Sequence, residues 1–246
     1  MEAAPRTPQV VFVPGFMQPG DAWLPVAEGL GQRYPSVLLD HAGHTYAARL
    51  AEIAQAAGES GSVLCGYSLG GRLALHAALR EPGRYAGLVL IGTSAGIEAP
   101  AIRAARAEAD ARLAAWMETQ PIEEIVSIWE RQPLFADQAD ALVEAQRPGR
   151  LAQDPRSLAL LLRTAGQGAL EPVWQRLDSL SMPVLAIAGA LDDRYRDAAR
   201  RIARAVPDGR SEAIEHAGHA PHLQRPETAA ALLLEFLDQH LGERLV

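Results

Sequence analysis

Six short runs rich in β-branched and apolar residues punctuate the chain, with longer alanine- and leucine-rich stretches between them. No other feature limits the fold as strongly. VVFV (10–13), SVLLD (36–40), SVLCG (62–66), GLVLIG (87–92), PVLAIAG (183–189) and SEAIEH (211–216) read as strands. Several are apolar at every position, as strands covered by helices on both faces should be. Helical patterns fall near 22–33, 46–58, 69–80, 196–205 and 226–241. Strands that alternate with helices join through right-handed crossovers, so a mostly parallel α/β sheet is expected. EPGRY (81–85) and VPDGR (206–210) mark joints.

The alternation lapses between residues 96 and 172. PAIRAARAEADARLAAWME, PIEEIVSIWERQ, DQADALVEAQ and SLALLLRTAG are helical with polar breaks, and no strand pattern occurs among them. The strands on either side need each other, so an insertion is more economical than an independent domain. The expected organisation is one core made of 1–96 and 173–246, with 97–172 as a helical cap over an end of the sheet.

CGYSLGGR (65–72) is where chemistry enters. Its G-x-S-x-G pattern lies where an apolar strand meets a helix. A serine at such an elbow takes a strained backbone, and the flanking glycines remove side chains that would collide there. The helix amino terminus behind Ser68 favours developing negative charge. A serine hydroxyl is a weak nucleophile and a weak base at neutral pH. It needs an imidazole, itself oriented by a carboxylate. Both follow downstream. PVLAIAGALDD puts Asp192 and Asp193 past a strand's carboxyl end, where the sites of parallel sheets gather. EHAGHAPHL puts His219 on a glycine turn after the last strand. Alone, either aspartate is better explained as a turn former or N-cap, and His216 and His222 can be packing or surface residues. Order and spacing together select Ser68 and His219, with Asp192 favoured over Asp193. The expected oxyanion donors are the backbone amides of Leu69, just after the serine, and of Phe16, where Gly15 lets the chain turn sharply.

Composition then removes whole classes. All 23 basic residues of the 246 are arginine, which excludes a Schiff-base lysine, a pyridoxal-phosphate anchor and a P-loop. A net charge of −7 argues against nucleic acid and acidic membrane surfaces as partners. The single cysteine, Cys65, excludes an internal disulfide framework and a multi-cysteine metal site. No stretch is long and apolar enough for membrane insertion, and the start lacks a signal-peptide pattern, so a cytoplasmic protein is expected. No metal or organic cofactor is expected, and the chain is read as a monomer or weak homo-oligomer.

Taken together these motifs resemble the α/β-hydrolase fold. In detail they are similar to the 2-succinyl-6-hydroxy-2,4-cyclohexadiene-1-carboxylate synthases of menaquinone biosynthesis, over almost the whole chain. PGFMQPGDAW is similar to that family's first loop, and GYSLGGR carries its arginine four residues after the serine. GIEAPAIRAARAEAD and IWERQPLF look like its cap motifs, and LRTAGQG, GALDDRY and AGHAPHL follow in the family order. The resemblance implies elimination of pyruvate from 2-succinyl-5-enolpyruvyl-6-hydroxy-3-cyclohexene-1-carboxylate, a small anion bearing several carboxylates. By motif position it implies substrate contacts from Tyr67, Arg72, Arg106, Trp129 and Arg147, with Arg150 as the alternative to Arg147.

Arginine binds carboxylate through a planar fork, so arginines converging on one pocket suit such a substrate. Residues 97–172 hold 8 Arg against 12 Asp plus Glu, so any anion site there is a local arrangement. The sequence departs from the family in two places. DHAGHT (40–45) replaces Asp-Leu-Pro-Gly-His-Gly, changing His41 and Ala42, and Leu170 and Glu171 stand where glutamine and proline are frequent. These leave open a different substrate, and a carboxylesterase or C–C bond hydrolase using the same triad is the alternative. A non-catalytic binding protein of this fold would need no triad.

Overall fold

The computed structural model describes residues 8–59 and 61–242. Six strands, β1 (Val10–Val13), β2 (Ser36–Leu38), β3 (Ser62–Tyr67), β4 (Tyr85–Ile91), β5 (Val184–Gly189) and β6 (Gly209–Ile214), make one sheet. Their order is β2-β1-β3-β4-β5-β6, and every neighbouring pair is parallel. Helices α1 (Leu24–Leu30), α2 (Tyr46–Ala57) and α3 (Leu69–Arg80) join the first four strands in turn. Between β4 and β5 the chain makes four helices, α4 (Pro100–Met117), α5 (Ile122–Glu130), α6 (Asp140–Leu151) and α7 (Pro155–Ala165). Helix α8 (Asp193–Ala205) leads to β6, and α9 (Pro221–Gln224) and α10 (Pro226–Leu241) follow it.

The four inner strands β1, β3, β4 and β5 are almost wholly apolar because each buries two faces, whereas the edge strands β2 and β6 are partly exposed and β6 carries Arg210 and Glu212. Val11, Leu64, Leu88 and Val184 pack in one cluster with Ile53 of α2, Leu73 of α3 and Ile202 of α8. Their neighbours along each strand, Val10, Val63, Val89 and Leu185, pack on the opposite side with Val26 of α1 and Leu233 and Phe236 of α10. Side chains alternate across a sheet, so both sets must be apolar when both faces are covered. Each fully buried valine or leucine is worth roughly 1.5–3 kcal/mol. Cys65 belongs to the second cluster, and burial pushes its thiol well up, so it packs as a small apolar residue.

The four helices between β4 and β5 have their own cluster. Ala114 and Met117 of α4, Ile125 and Val126 of α5, and Leu158 and Leu162 of α7 pack together with Met17. Met17 comes from the loop after β1, so this third cluster is stapled to the sheet at that loop.

Element ends differ from the sequence reading for local reasons. β4 starts inside the EPGRY joint because Tyr85 pairs with Ser62, across an irregularity at Ser62 and Val63. β6 starts at Gly209, which pairs with Val184, and stops at Ile214 because His216 takes φ 56°. Helix α8 starts three residues earlier than its apolar pattern, since the Asp192 carboxylate accepts the Tyr195 amide at 3.2 Å as an N-cap.

Candidate active site

β3 ends at Tyr67 and α3 begins at Leu69, so Ser68 alone makes the turn. Its φ of 51° and ψ of −110° are costly for a residue with a side chain, and the strain is held from several sides. The Ser68 amide donates to the Ile91 carbonyl at 2.9 Å. Its carbonyl accepts from the Thr93 hydroxyl at 2.8 Å and from the Arg72 amide at 3.1 Å. A Cβ on Gly66 would stand 2.5 Å from the Gly70 carbonyl oxygen, and one on Gly70 would stand 2.2 Å from that of Val13. Both glycines are therefore required by close packing of strand and helix.

This turn aims the serine at an imidazole. The Ser68 Oγ lies 3.2 Å from His219 Nε2, and His219 Nδ1 lies 2.9 Å from Asp192 Oδ2. The Asp192 carboxylate is fixed by its second oxygen through the α8 N-cap. Asp193 points away, with a side chain 84% exposed and paired to Arg196 at 2.5 Å. His219 is buried, its ring covered by Tyr195 at 4.5 Å and Tyr67 at 5.3 Å between centroids. With Nδ1 donating to the carboxylate, Nε2 is left to accept the serine proton.

Phe16 and Leu69 both line the cavity in front of Ser68, and among the described residues neither amide donates to a backbone carbonyl. Gly15 acts differently from the sequence reading. Its φ is ordinary, and a Cβ there would strike the Tyr67 ring at 2.7 Å, while the left-handed residue of the loop is Met17, with φ 59°.

The cavity encloses about 190 Å³ between the carboxyl end of the sheet and the helical excursion. Tyr67, Arg72, Arg106 and Trp129 line it. Arg147 does not: it pairs with Glu130 at 2.5 Å and Glu144 at 3.0 Å and lines a separate surface pocket beyond Phe135. Arg150, one turn further on the same helix, is the α6 arginine that reaches the cavity. It is buried, bonded to Glu130 at 3.0 Å and Gln146 at 2.8 Å, with its guanidinium over the Phe135 ring.

Arg72 is the most distinctive of these. It is only 8% exposed and makes no ion pair among the described residues, and its Nε is buried without a partner. Burial, the main cause, pulls the guanidinium below its ordinary pKa. An unpaired buried cation is expensive, and a bound anion is what would offset it. Arg106 instead has a protein partner, Asp110, at 2.7 Å, and donates to Gln167 at 2.9 Å. Gln167 in turn donates to the Tyr195 hydroxyl at 3.2 Å. A continuous polar chain thus runs from Asp110 on α4 to the ring that covers His219.

Sequence reasoning missed Gln167, Tyr195 and Arg194 as cavity residues. Tyr195 and Arg194 were within reach: they sit in the first turn of α8, directly after Asp192. The departures at 40–45 have a local structural account. Glu52 accepts from the Gly43 amide at 2.6 Å and holds His41 Nδ1 at 2.6 Å, so the loop is clamped to α2 by side chains. Leu170 is buried, and Glu171 is exposed and paired with Arg103. Among the described residues no group of three His, Cys, Asp or Glu could hold a metal, and no helix is long and apolar enough to cross a membrane.

The profile of the Alpha/beta hydrolase family matches residues 10–232. The 2-succinyl-6-hydroxy-2,4-cyclohexadiene-1-carboxylate synthase of Yersinia enterocolitica is 30% identical over 94% of this chain and 87% of its own length. The synthase of the same name from Enterobacter sp. is 30% identical over 95% and 93%. A Bacillus subtilis relative is 33% identical over 71% of this chain and 65% of its own length, just under two thirds. The structure of MenH from S. aureus superposes with a TM-score of 0.89 at 28% identity, covering 98% of this chain and 97% of that one. A sheet of six parallel strands, a serine at a strained strand–helix turn and these relatives lead to one assignment: the chain belongs to the alpha/beta hydrolase family, on the branch that holds the 2-succinyl-6-hydroxy-2,4-cyclohexadiene-1-carboxylate synthases.

Proposed function

We propose that this chain is a carbon–oxygen lyase that eliminates pyruvate from 2-succinyl-5-enolpyruvyl-6-hydroxy-3-cyclohexene-1-carboxylate, in menaquinone biosynthesis. The observation that carries the reading is Arg72, a buried guanidinium without a carboxylate partner, one helical turn from Ser68. A neutral ester would leave that charge uncompensated. An ester or C–C bond hydrolase with the same triad is the reading to beat.

In the proposed reaction the Ser68 oxygen, its proton drawn toward His219 Nε2, removes a ring proton from the substrate. Electron density moves onto the succinyl carbonyl oxygen, which the amides of Phe16 and Leu69 receive. Collapse of that enolate breaks the carbon–oxygen bond to the enolpyruvyl group. The departing enolpyruvate takes a proton, by way of His219, and leaves as pyruvate. Asp192 holds the imidazole in the tautomer this needs and stabilises it when charged. Residues 97–172 act as the cap, closing the cavity and presenting Arg106, Trp129 and Arg150 to the substrate. The relatives' names and the placement of Tyr67, Arg72 and Arg106 around one cavity support this assignment.

The test is stoichiometric release of pyruvate from the purified protein, followed by reduction to lactate. One pyruvate per ring formed is expected. Brisk hydrolysis of neutral esters with no pyruvate would replace the lyase by the hydrolase.

A further inference from the structure

Four arginines line the cavity, Arg72, Arg106, Arg150 and Arg194, and a single acid, Asp110, lines it with them. Two of the four are neutralised by the protein, Arg106 by Asp110 and Arg150 by Glu130. Arg72 and Arg194 have no ion pair among the described residues. The site therefore carries two uncompensated cations, and they differ in depth: Arg72 is buried, while Arg194 is exposed on the first turn of α8.

We infer that Arg194 is a second carboxylate-binding residue, at the mouth of the cavity, and that it makes the site selective for dianions over monoanions. The inference rests on the proposed reading of the site as a polycarboxylate pocket. Three observations carry it. Three of the other four arginines of α8 find acids: Arg196 takes Asp193 at 2.5 Å, Arg200 takes Asp197 at 3.5 Å, and Arg201 takes Glu98 at 2.6 Å, while Arg204 sits in the last turn, where the helix dipole favours a cation. Asp193 is adjacent to Arg194 in sequence, yet it turns to Arg196. Secondly, a cation in the first turn of a helix opposes the helix dipole, so the placement costs stability rather than adding it. Thirdly, the guanidinium carbon lies 5.4 Å from the centroid of the Tyr195 ring, whose other neighbour is His219 at 4.5 Å. Stacking on that ring holds the charge near the triad and leaves its donors for a ligand. Arg72 would take one carboxylate inside and Arg194 the other at the opening, fixing which end of an elongated dianion enters first.

The experiment measures binding by calorimetry for α,ω-dicarboxylates from succinate to suberate, each against its own monomethyl ester. Wild type, Arg194→Gln and Arg194→Lys are compared, with Arg204→Gln, an exposed change on α8 outside the cavity, as the control. The wild type is expected to prefer the diacid by about three- to tenfold, between an exposed ion pair and a charge-assisted hydrogen bond. The preference should peak at one chain length. Arg194→Gln should abolish it, Arg194→Lys should restore most of it, and Arg204→Gln should leave it intact. With the enolpyruvyl substrate, Arg194→Gln should raise KM by a similar factor and keep kcat within about twofold. A wild type indifferent to the second carboxylate, or a preference that survives Arg194→Gln, overturns the inference. Both of these outcomes are read by calorimetry and are independent of pyruvate release. A protein that discriminates diacids through Arg194 but yields no pyruvate would refute the lyase reading and leave this one standing.

Discussion

The sheet region and the helical excursion between β4 and β5 solve the same problem, a buried charge or polar group, in opposite ways. In the sheet region several buried titratable groups are kept neutral or left without an ionic partner, although His219 keeps Asp192 and His41 keeps Glu52. His76 and His222 are held well below the ordinary imidazole pKa, at about 4 and about 3, in each case first by burial. His222 lies between the Trp23 and Tyr67 rings with neither ring nitrogen bonded, and Arg72 has no acid. In the excursion, arginines come with their own carboxylates: Arg106 with Asp110, Arg150 and Arg147 with Glu130. The difference teaches where affinity can come from. A guanidinium already neutralised by the protein gives an anion less than an unpaired one does, so under the proposed function the strongest single anchor is expected in the sheet region beside the serine, with the excursion contributing shape and orientation.

The largest effect that sharpens this contrast is expected at the triad. Ser68→Ala and His219→Ala should each cost about three or more powers of ten in kcat, and the double variant little more than either. Melting temperatures near that of the wild type would confirm that chemistry alone was lost. Fully multiplicative losses would mean that the two residues do not act as a unit.

Acid should then break the sheet region first. All seven histidines lie outside residues 97–172. A histidine whose folded pKa is depressed takes up a proton in the unfolded chain before it does so in the folded one. Its contribution is therefore present above about pH 6.5 and lost as pH falls toward the folded value. Each such group costs about 1.4 kcal/mol per pH unit in that window, so His76 and His222 together cost roughly 3. Urea unfolding between pH 7 and 5 should register this slope, and His222→Phe should flatten it. A level stability over that range would contradict the buried neutral imidazoles.

The two arginines of α6 offer a smaller and finer test. Arg150→Ala removes a buried partner of Glu130 from the cavity wall and should lower kcat/KM by about tenfold, together with some stability. Arg147→Ala should lower kcat/KM far less, within about twofold, because its side chain, 41% exposed, lies outside the cavity and Glu130 keeps Arg150. Equal losses in the two variants would erase the distinction between the arginine that lines the cavity and the one outside it.

The same two regions differ in how much the sequence reveals. In the sheet region the pattern dictates geometry almost directly. Apolar strands require covered faces, and G-x-S-x-G at a strand–helix joint requires the positive φ seen at Ser68. Of the two aspartates the sequence reading favours Asp192, and in the structure it is Asp192 that caps α8 while its other oxygen reaches His219. In the excursion, helices were legible but their rotation was not. Arg147 and Arg150 lie one turn apart, and which of them faces the cavity depends on how α6 packs against α5 and Phe135. Periodicity in a polar helix carries no such information. Gln167 was invisible for the same reason, since its bonds to Arg106 and Tyr195 join segments distant in sequence. At Gly15 the residue type was informative but the cause was misread: what needs the missing side chain is the approach of Tyr67.

The central claim is that a general serine–histidine–aspartate apparatus is committed to an anionic lyase substrate by an unpaired arginine beside it. The most direct measurement runs pyruvate release and neutral-ester cleavage in parallel on wild type, Ser68→Ala and Arg72→Ala. Ser68→Ala should abolish both. Arg72→Ala should lower kcat/KM for pyruvate release by about ten- to a hundredfold, the worth of a charge-assisted hydrogen bond, and leave the slow ester reaction nearly unchanged. If Arg72→Ala lowers both in parallel, or neither, the arginine is structural and the account of how this site selects its substrate is wrong.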